Sequence, residues 1–185
     1  MPTHYCSLCS GIDLAELGHN ITVLERTREL SGAGAGIHVP PNATLLLQRW
    51  GILDRFRHKA VEPAGFNFRR YDHGSILASS GSKKAPKRTG QTPYWSMRRA
   101  DYQHILYEAA VEVGCDFRFG EQVVSIDGNA PSVTVKGGEV VQADIIIAAD
   151  GIKSQMRRLI IPEDDVAPIL QPLSTYRAWA REKLF

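Results

Sequence analysis

A chain of 185 residues, 43% of them hydrophobic, can bury a core of its own, and its length suits one domain or one and a part. A net charge of only +2 argues against a nucleic-acid binder and against a membrane-surface protein. No apolar run approaches the roughly 20 residues of a membrane span, and residues 1–10 lack the charged start and apolar centre of a signal peptide, so the default is a soluble cytoplasmic protein.

Three cysteines do not make a disulfide framework. Cys6 and Cys9 form a C-x-x-C, whose functional forms would be a redox pair or half a zinc site. Zinc needs four ligands and no second pair exists, so no metal site is expected and the motif reads as a bland segment. Leu8, Ile12, Leu14 and Ala15 recur at helical spacing until Gly18, which stops the helix as a glycine C-cap does. Residues 20–25 then read as a strand ending in an acid. This is the second half of a βαβ nucleotide-binding unit, in which such an acid accepts the two ribose hydroxyls. Glu25 fits that place, with Arg26 beside it near the adenine edge.

Gly34-Ala35-Gly36-Ile37-His38-Val39-Pro40-Pro41-Asn42-Ala43 is a glycine- and proline-rich approach to a helix, with Gly34 and Gly36 suited to a backbone near a ligand. Asn42 is the expected N-cap of a helix over 43–50, ended by Gly51. Phe66, Phe68 and Tyr71 alternate with polar residues, Asp72-His73-Gly74 turns, and 75–79 returns as a short strand. Lys83, Lys84, Lys87 and Arg88 follow in a Gly/Ser/Pro-rich stretch without interleaved aromatics, which predicts a solvated loop and no nucleic-acid partner. Residues 94–98 form a strand. A helix over 100–113 has Tyr102, Ile105, Leu106, Ala109 and Val113 on one face. Short strands follow over 116–119, 122–126 and 132–136, with Gly137-Gly138 turning the chain into Val140 and Val141. Ile145, Ile146 and Ile147 predict a strand covered on both faces. It ends at Asp150-Gly151, with Ser154 as a cap for a helix carrying Arg157 and Arg158. Taken alone, Asp-Gly is turn chemistry as readily as a site, although the carboxyl ends of parallel strands are where open α/β sheets place ligands.

Four segments in this order resemble the single-component flavoprotein aromatic hydroxylases, the p-hydroxybenzoate and salicylate hydroxylase-like FAD monooxygenases. They are Glu25-Arg26, the run 34–43, Arg98-Arg99-Ala100-Asp101-Tyr102 and Asp150-Gly151-Ile152-Lys153-Ser154-Gln155-Met156-Arg157. Tyr102 replaces the leucine of the family's Arg-x-Asp-Leu. The resemblance implies an α/β, Rossmann-like FAD-binding fold with a parallel sheet and a flanking three-stranded meander, incomplete, plus a fragment of a substrate-domain sheet. Residues 1–63 and 94–160 would then hold FAD, and 64–93 and 161–185 would belong to the substrate domain. It implies FAD contacts from Glu25, Arg26, Gly36, Arg99, Asp150 and Gly151. Arg177, in a Tyr-Arg that opens a substrate-domain strand in the family, would face substrate. It also implies NAD(P)H as transient reductant and O₂ as co-substrate in hydroxylating a small aromatic compound, with the cofactor carrying the chemistry.

The chain departs from the family at its start. Counting back from Gly18, the family's Gly-x-Gly-x-x-Gly positions fall on Pro2, His4 and Ser7. Those glycines let backbone approach the pyrophosphate, so their loss weakens phosphate binding. Residues 1–10 look like foreign sequence joined to a family helix, as an alternative start or an erroneous gene model would produce. The likeness covers about residues 7–180 and the front half of a family member, without its later Gly-Asp motif. Two alternatives stand beside the hydroxylase: a noncatalytic remnant, and an FAD epoxidase or halogenase of the same fold.

Overall fold

The computed structural model describes residues 5–30, 35–81, 92–151, 154–161, 169 and 172. In chain order the first elements are α1 (Tyr5–Glu16), β1 (Thr22–Glu25), β2 (Gly36–Val39), α2 (Pro41–Arg49), α3 (Leu53–Phe56), β3 (Gly65–Arg69) and β4 (Ile76–Gly81). They are followed by β5 (Trp95–Arg98), α4 (Arg99–Glu112), β6 (Asp116–Phe119), β7 (Val123–Asp127), β8 (Ser132–Val135), β9 (Val140–Gln142) and α5 (Met156–Ile160). Two compact units result, one of Met1–Ala33 with Leu106–Phe185 and one of Gly34–Ile105, so the division falls inside α4. The architecture is mixed α/β with parallel and antiparallel sheet pieces.

In the first unit β1 pairs in parallel with β6, Thr22 opposite Asp116 and Glu25 opposite Phe119. Leu8 and Ile12 of α1 are four residues apart on one face and fully buried. Gly11 lies on the same side for a steric reason. A Cβ there would sit 3.2 Å from the Cys115 Sγ and 3.8 Å from a methyl of Ile21, so the missing side chain lets the helix lie close to the starts of both strands. Gly18, at φ 88°, ends the helix and donates to the Ala15 carbonyl at 2.9 Å. On β6, Phe117 and Phe119 receive the Tyr107 ring of α4 edge-on, with centroids 4.8 and 5.9 Å away.

The predicted meander is β7, β8 and β9, antiparallel throughout, with Val133 and Val135 buried. The preceding strand, residues 116–119, stands outside it because it is the parallel partner of β1. Arg118 of β6 forks onto Glu139 at 2.8 and 2.7 Å, tying that strand to the turn between β8 and β9. This pairing holds the Glu139 carboxyl below its ordinary range.

The isoleucine run corrects an expectation. Residues 145–150 form no strand, and Ile145 and Ile147 are 78% and 54% exposed. A strand covered on both faces needs ladder partners, and the parallel sheet among the described residues consists of β1 and β6 alone.

In the second unit β2 pairs antiparallel with β5, Gly36 opposite Arg98 and Val39 opposite Trp95. The hairpin β3–β4 forms as predicted, with Gly74 in its turn at φ 70°. The start of α2 differs from expectation: the N-cap is Pro40, Pro41 occupies the first turn, and Asn42 lies inside the helix. Proline is pre-set for helical φ and needs no N–H partner there, so it displaces the asparagine cap. The Pro40 carbonyl accepts from Ala43 and Thr44 at 2.9 and 3.0 Å, and Gly51, at φ 68°, ends the helix. Two threonines then clasp the helix to the entry of β5. Thr44 donates its hydroxyl to the Pro93 carbonyl at 2.8 Å, and Thr92 donates to the Pro41 carbonyl at 2.8 Å.

Along α4, Tyr102, Ile105, Leu106 and Ala109 are buried as the periodicity predicts. Val113 is not, because the helix ends at Glu112, and Gln103 and Ala110 are buried as well. The basic stretch with Lys83, Lys84, Lys87 and Arg88, along with Gly34 and Arg177, lies outside the described residues.

Candidate functional site

Glu25 closes β1 at the carboxyl end of the parallel pair and is only 8% exposed. Burying a carboxylate requires donors, and these come from the turn that follows. The Thr27 N–H donates to Oε1 at 2.8 Å and the Thr27 hydroxyl to the same oxygen at 3.0 Å. The turn is fixed in place by Gly120 donating to the Thr27 carbonyl and Glu121 to the Glu25 carbonyl, at 2.8 and 3.0 Å. Oε2 accepts no bond among the described residues, so one acceptor edge of a positioned carboxylate remains for another donor. Arg26 is exposed beside it. Thr27 was not singled out from the sequence, although a threonine two residues after a strand-end acid is the pattern of a local side-chain turn.

Asp150 and Gly151 belong to the same unit. Gly151 adopts φ 77°, a left-handed conformation that favours glycine. The Asp150 carboxylate turns back on its own chain, with Oδ2 accepting the Gln155 N–H at 2.6 Å and the Met156 N–H at 3.4 Å. Burial opposes its charge, yet hydrogen bonds from the Ser154 side chain and the backbone outweigh this and hold the carboxyl below its ordinary range. The N-cap of α5 is Gln155, one residue later than expected, and Ser154 instead accepts the Arg157 N–H on its side-chain oxygen at 3.1 Å. Aspartate and serine therefore share the first turn of α5.

In the second unit the structure brings Gly36 and Arg99 together. Gly36 is exposed at the start of β2 opposite Arg98, and the Arg99 N–H donates to the Ala35 carbonyl at 3.2 Å as α4 begins. Arg99 is half-buried, with its Nε buried. Nearby, His38, Phe66 and Tyr94 form a trio of rings with centroids 5.5 to 5.9 Å apart. The sequence assigns His38 no role of its own. Its place in this trio follows from the β2–β5 pairing, which a one-dimensional pattern does not contain.

Among the described residues no three His, Cys, Asp or Glu gather as a metal set, and no helix is long and apolar enough to cross a membrane. Ser7, the third counted glycine position, lies within α1, while Pro2 and His4 fall outside the described residues.

An FAD binding domain matches residues 6–163, most of the chain. The chain belongs to the FAD binding domain family. Within it, the chain is 39% identical over 153 residues to the FAD-dependent monooxygenase OpS4 of Beauveria bassiana, covering 82% of this chain and 36% of that protein. It is 29% identical to a 6-hydroxynicotinate 3-monooxygenase of Pseudomonas fluorescens, covering 81% of this chain and 39% of the relative. Its backbone matches the tetrameric form of 2-methyl-3-hydroxypyridine-5-carboxylic acid oxygenase with a TM-score of 0.70 at 27% identity, over 83% of this chain and 38% of that one. The chain thus spans well under half the length of these relatives. The expected fold class stands: this is a partial α/β FAD-binding domain.

Proposed function

We propose that this chain is the FAD-holding part of an NAD(P)H-dependent monooxygenase that uses O₂ to hydroxylate a small aromatic compound. The observation that carries the reading is the buried Glu25 carboxylate at the carboxyl end of a parallel strand, with Oε1 committed to Thr27 and Oε2 accepting no bond among the described residues. That oxygen suits a ribose hydroxyl, and Arg26 suits the adenine edge. Gly36 allows backbone to approach a ring system. Arg99, at the head of α4, would reach the ribityl and phosphate region, Asp150 and Gly151 would lie against the pyrophosphate, and Arg177 would face substrate. Relatives named for hydroxynicotinate and hydroxybenzoate support an aromatic acid as the substrate class. When bound, FAD supplies the transfer of electrons from nicotinamide to oxygen. Residues 1–63 and 94–160 form the cofactor side of this assignment and 64–93 with 161–185 the substrate side, in a cytoplasmic protein.

The fit is good at the ribose and poor at the phosphates. Ser7 puts a side chain where a glycine would admit backbone, and Asp150 already caps its own helix. This favours a second reading in which the chain, taken alone, binds FAD weakly and turns nothing over. The test is to titrate residues 1–185 with FAD, following flavin fluorescence, and then to desalt and measure NAD(P)H oxidation against hydroxylated product. Reversible micromolar or weaker binding, lost on desalting and without product, is expected. No binding at millimolar FAD would overturn the flavin reading, and retained flavin with coupled hydroxylation would overturn the second one.

A further inference from the structure

The flavin reading leaves the C-x-x-C motif unused. Cys6 and Cys9 both lie in the first half of α1, three residues apart, as free thiols, Cys6 exposed and Cys9 half-buried. Residues so spaced are neighbours on a helix surface, with Cβ atoms about 5–6 Å apart. A disulfide needs roughly 3.5–4.5 Å between them. Tightening the turn between them towards 3₁₀ geometry, which eclipses i and i+3 and is frequent at helix N-termini, closes that gap. Leu8, between the two cysteines, is buried, and Gly11 and Ile12 anchor the helix beyond them. Burial first, then the charges of Cys6 and Asp13, push Cys9 up to about 11.

We propose that Cys6 and Cys9 form a peroxide-responsive dithiol that closes reversibly into a disulfide within the first turns of α1. The exposed Cys6 sulfur attacks one oxygen of hydrogen peroxide. An S–O bond forms, the O–O bond breaks, and hydroxide leaves to take a proton as water, so sulfur is oxidised by two electrons and peroxide reduced. Cys9, which keeps its proton at neutral pH, is the resolving thiol. Its sulfur attacks the Cys6 sulfenic acid, the S–S bond forms as the S–O bond breaks, and the departing hydroxide takes the Cys9 proton as a second water. A small-molecule dithiol reverses the bond. Cys115, buried beneath Gly11 and raised by that burial, stays outside the exchange.

The test treats the full chain with stoichiometric hydrogen peroxide, alkylates it, and maps the cysteines by mass spectrometry. The expected result is an intact mass lower by two hydrogens, loss of two of the three alkylatable thiols, a Cys6–Cys9 linkage, and recovery with dithiothreitol. Cys115 should alkylate only after denaturation. Cys9→Ser should stop at a dimedone-reactive Cys6, and Cys6→Ser should abolish the reaction. Over-oxidation of Cys6 with Cys9 still reduced, or a disulfide between two chains, would overturn the proposal. Mapping the unmodified chain decides this even if a variant folds poorly.

Discussion

Replacing Glu25 with alanine removes the acceptor of two Thr27 hydrogen bonds in a half-buried turn, so two consequences follow from one side chain. The chain should lose about 1–3 kcal/mol of stability, as for buried donors left unmade. FAD affinity should fall by roughly 1.5–3 kcal/mol, about ten- to more than a hundredfold in Kd. Denaturant melts read the first and fluorescence titration the second; stability loss with unchanged affinity would make Glu25 a turn residue only. Asp150 titrates in the opposite sense to a buried acid without partners. Its folded-state pKa is depressed, so its stabilising contribution is present above the ordinary value of 3.8 and lost as pH falls through the lower folded value. The gap in thermal midpoint between wild type and Asp150→Asn should therefore be full at neutral pH and close in acid. A gap that persists at the lowest pH would place the effect elsewhere than on the charged cap.

At the scale of elements, α2 is held by its ends. Its start relies on Pro40 and Pro41 for backbone geometry, and the Thr44 and Thr92 clasp fixes that start to the entry of β5. Thr44 is fully buried, so Thr44→Val strands the Pro93 carbonyl and should cost about 1–3 kcal/mol. Because both bonds join the same two segments, Thr92→Val should cost less once Thr44 is gone, with a coupling of roughly 0.5–3 kcal/mol in a double-mutant cycle measured by urea unfolding. Strict additivity would show two independent anchors. The clasp was not legible in the sequence, since its partners lie about fifty residues apart, whereas the elements it joins were. Gly18 and Gly51 mark helix ends through chemistry local to one residue, and the β3–β4 hairpin and the meander announce themselves by alternation and turns. At Asn42 the local capping preference gives way to the stronger backbone constraint of the two prolines before it.

For the whole molecule, the site residues named from the sequence fall in two separate units: Glu25, Arg26, Asp150 and Gly151 in one, Gly36 and Arg99 in the other. Local sequence could single out each of them as a candidate, but which oxygens are already committed could be learned only from three-dimensional partners such as Thr27 and Gln155. The isoleucine run forms no strand among the described residues. β-Branched residues in series are suited to a strand with neighbours on both sides, yet here Ile145 and Ile147 meet solvent. Replacing both with lysine therefore removes little burial, and surface substitutions of that kind stay within about 0.5 kcal/mol each. The double variant of residues 1–185 should keep its thermal midpoint, lose part of its binding of a hydrophobic dye such as ANS, and remain soluble at higher concentration. A fall of several degrees would instead mean that the run is covered in solution, by a second copy of the chain or by a rearranged sheet. Measuring the midpoint across protein concentrations separates these, because only association makes it concentration-dependent.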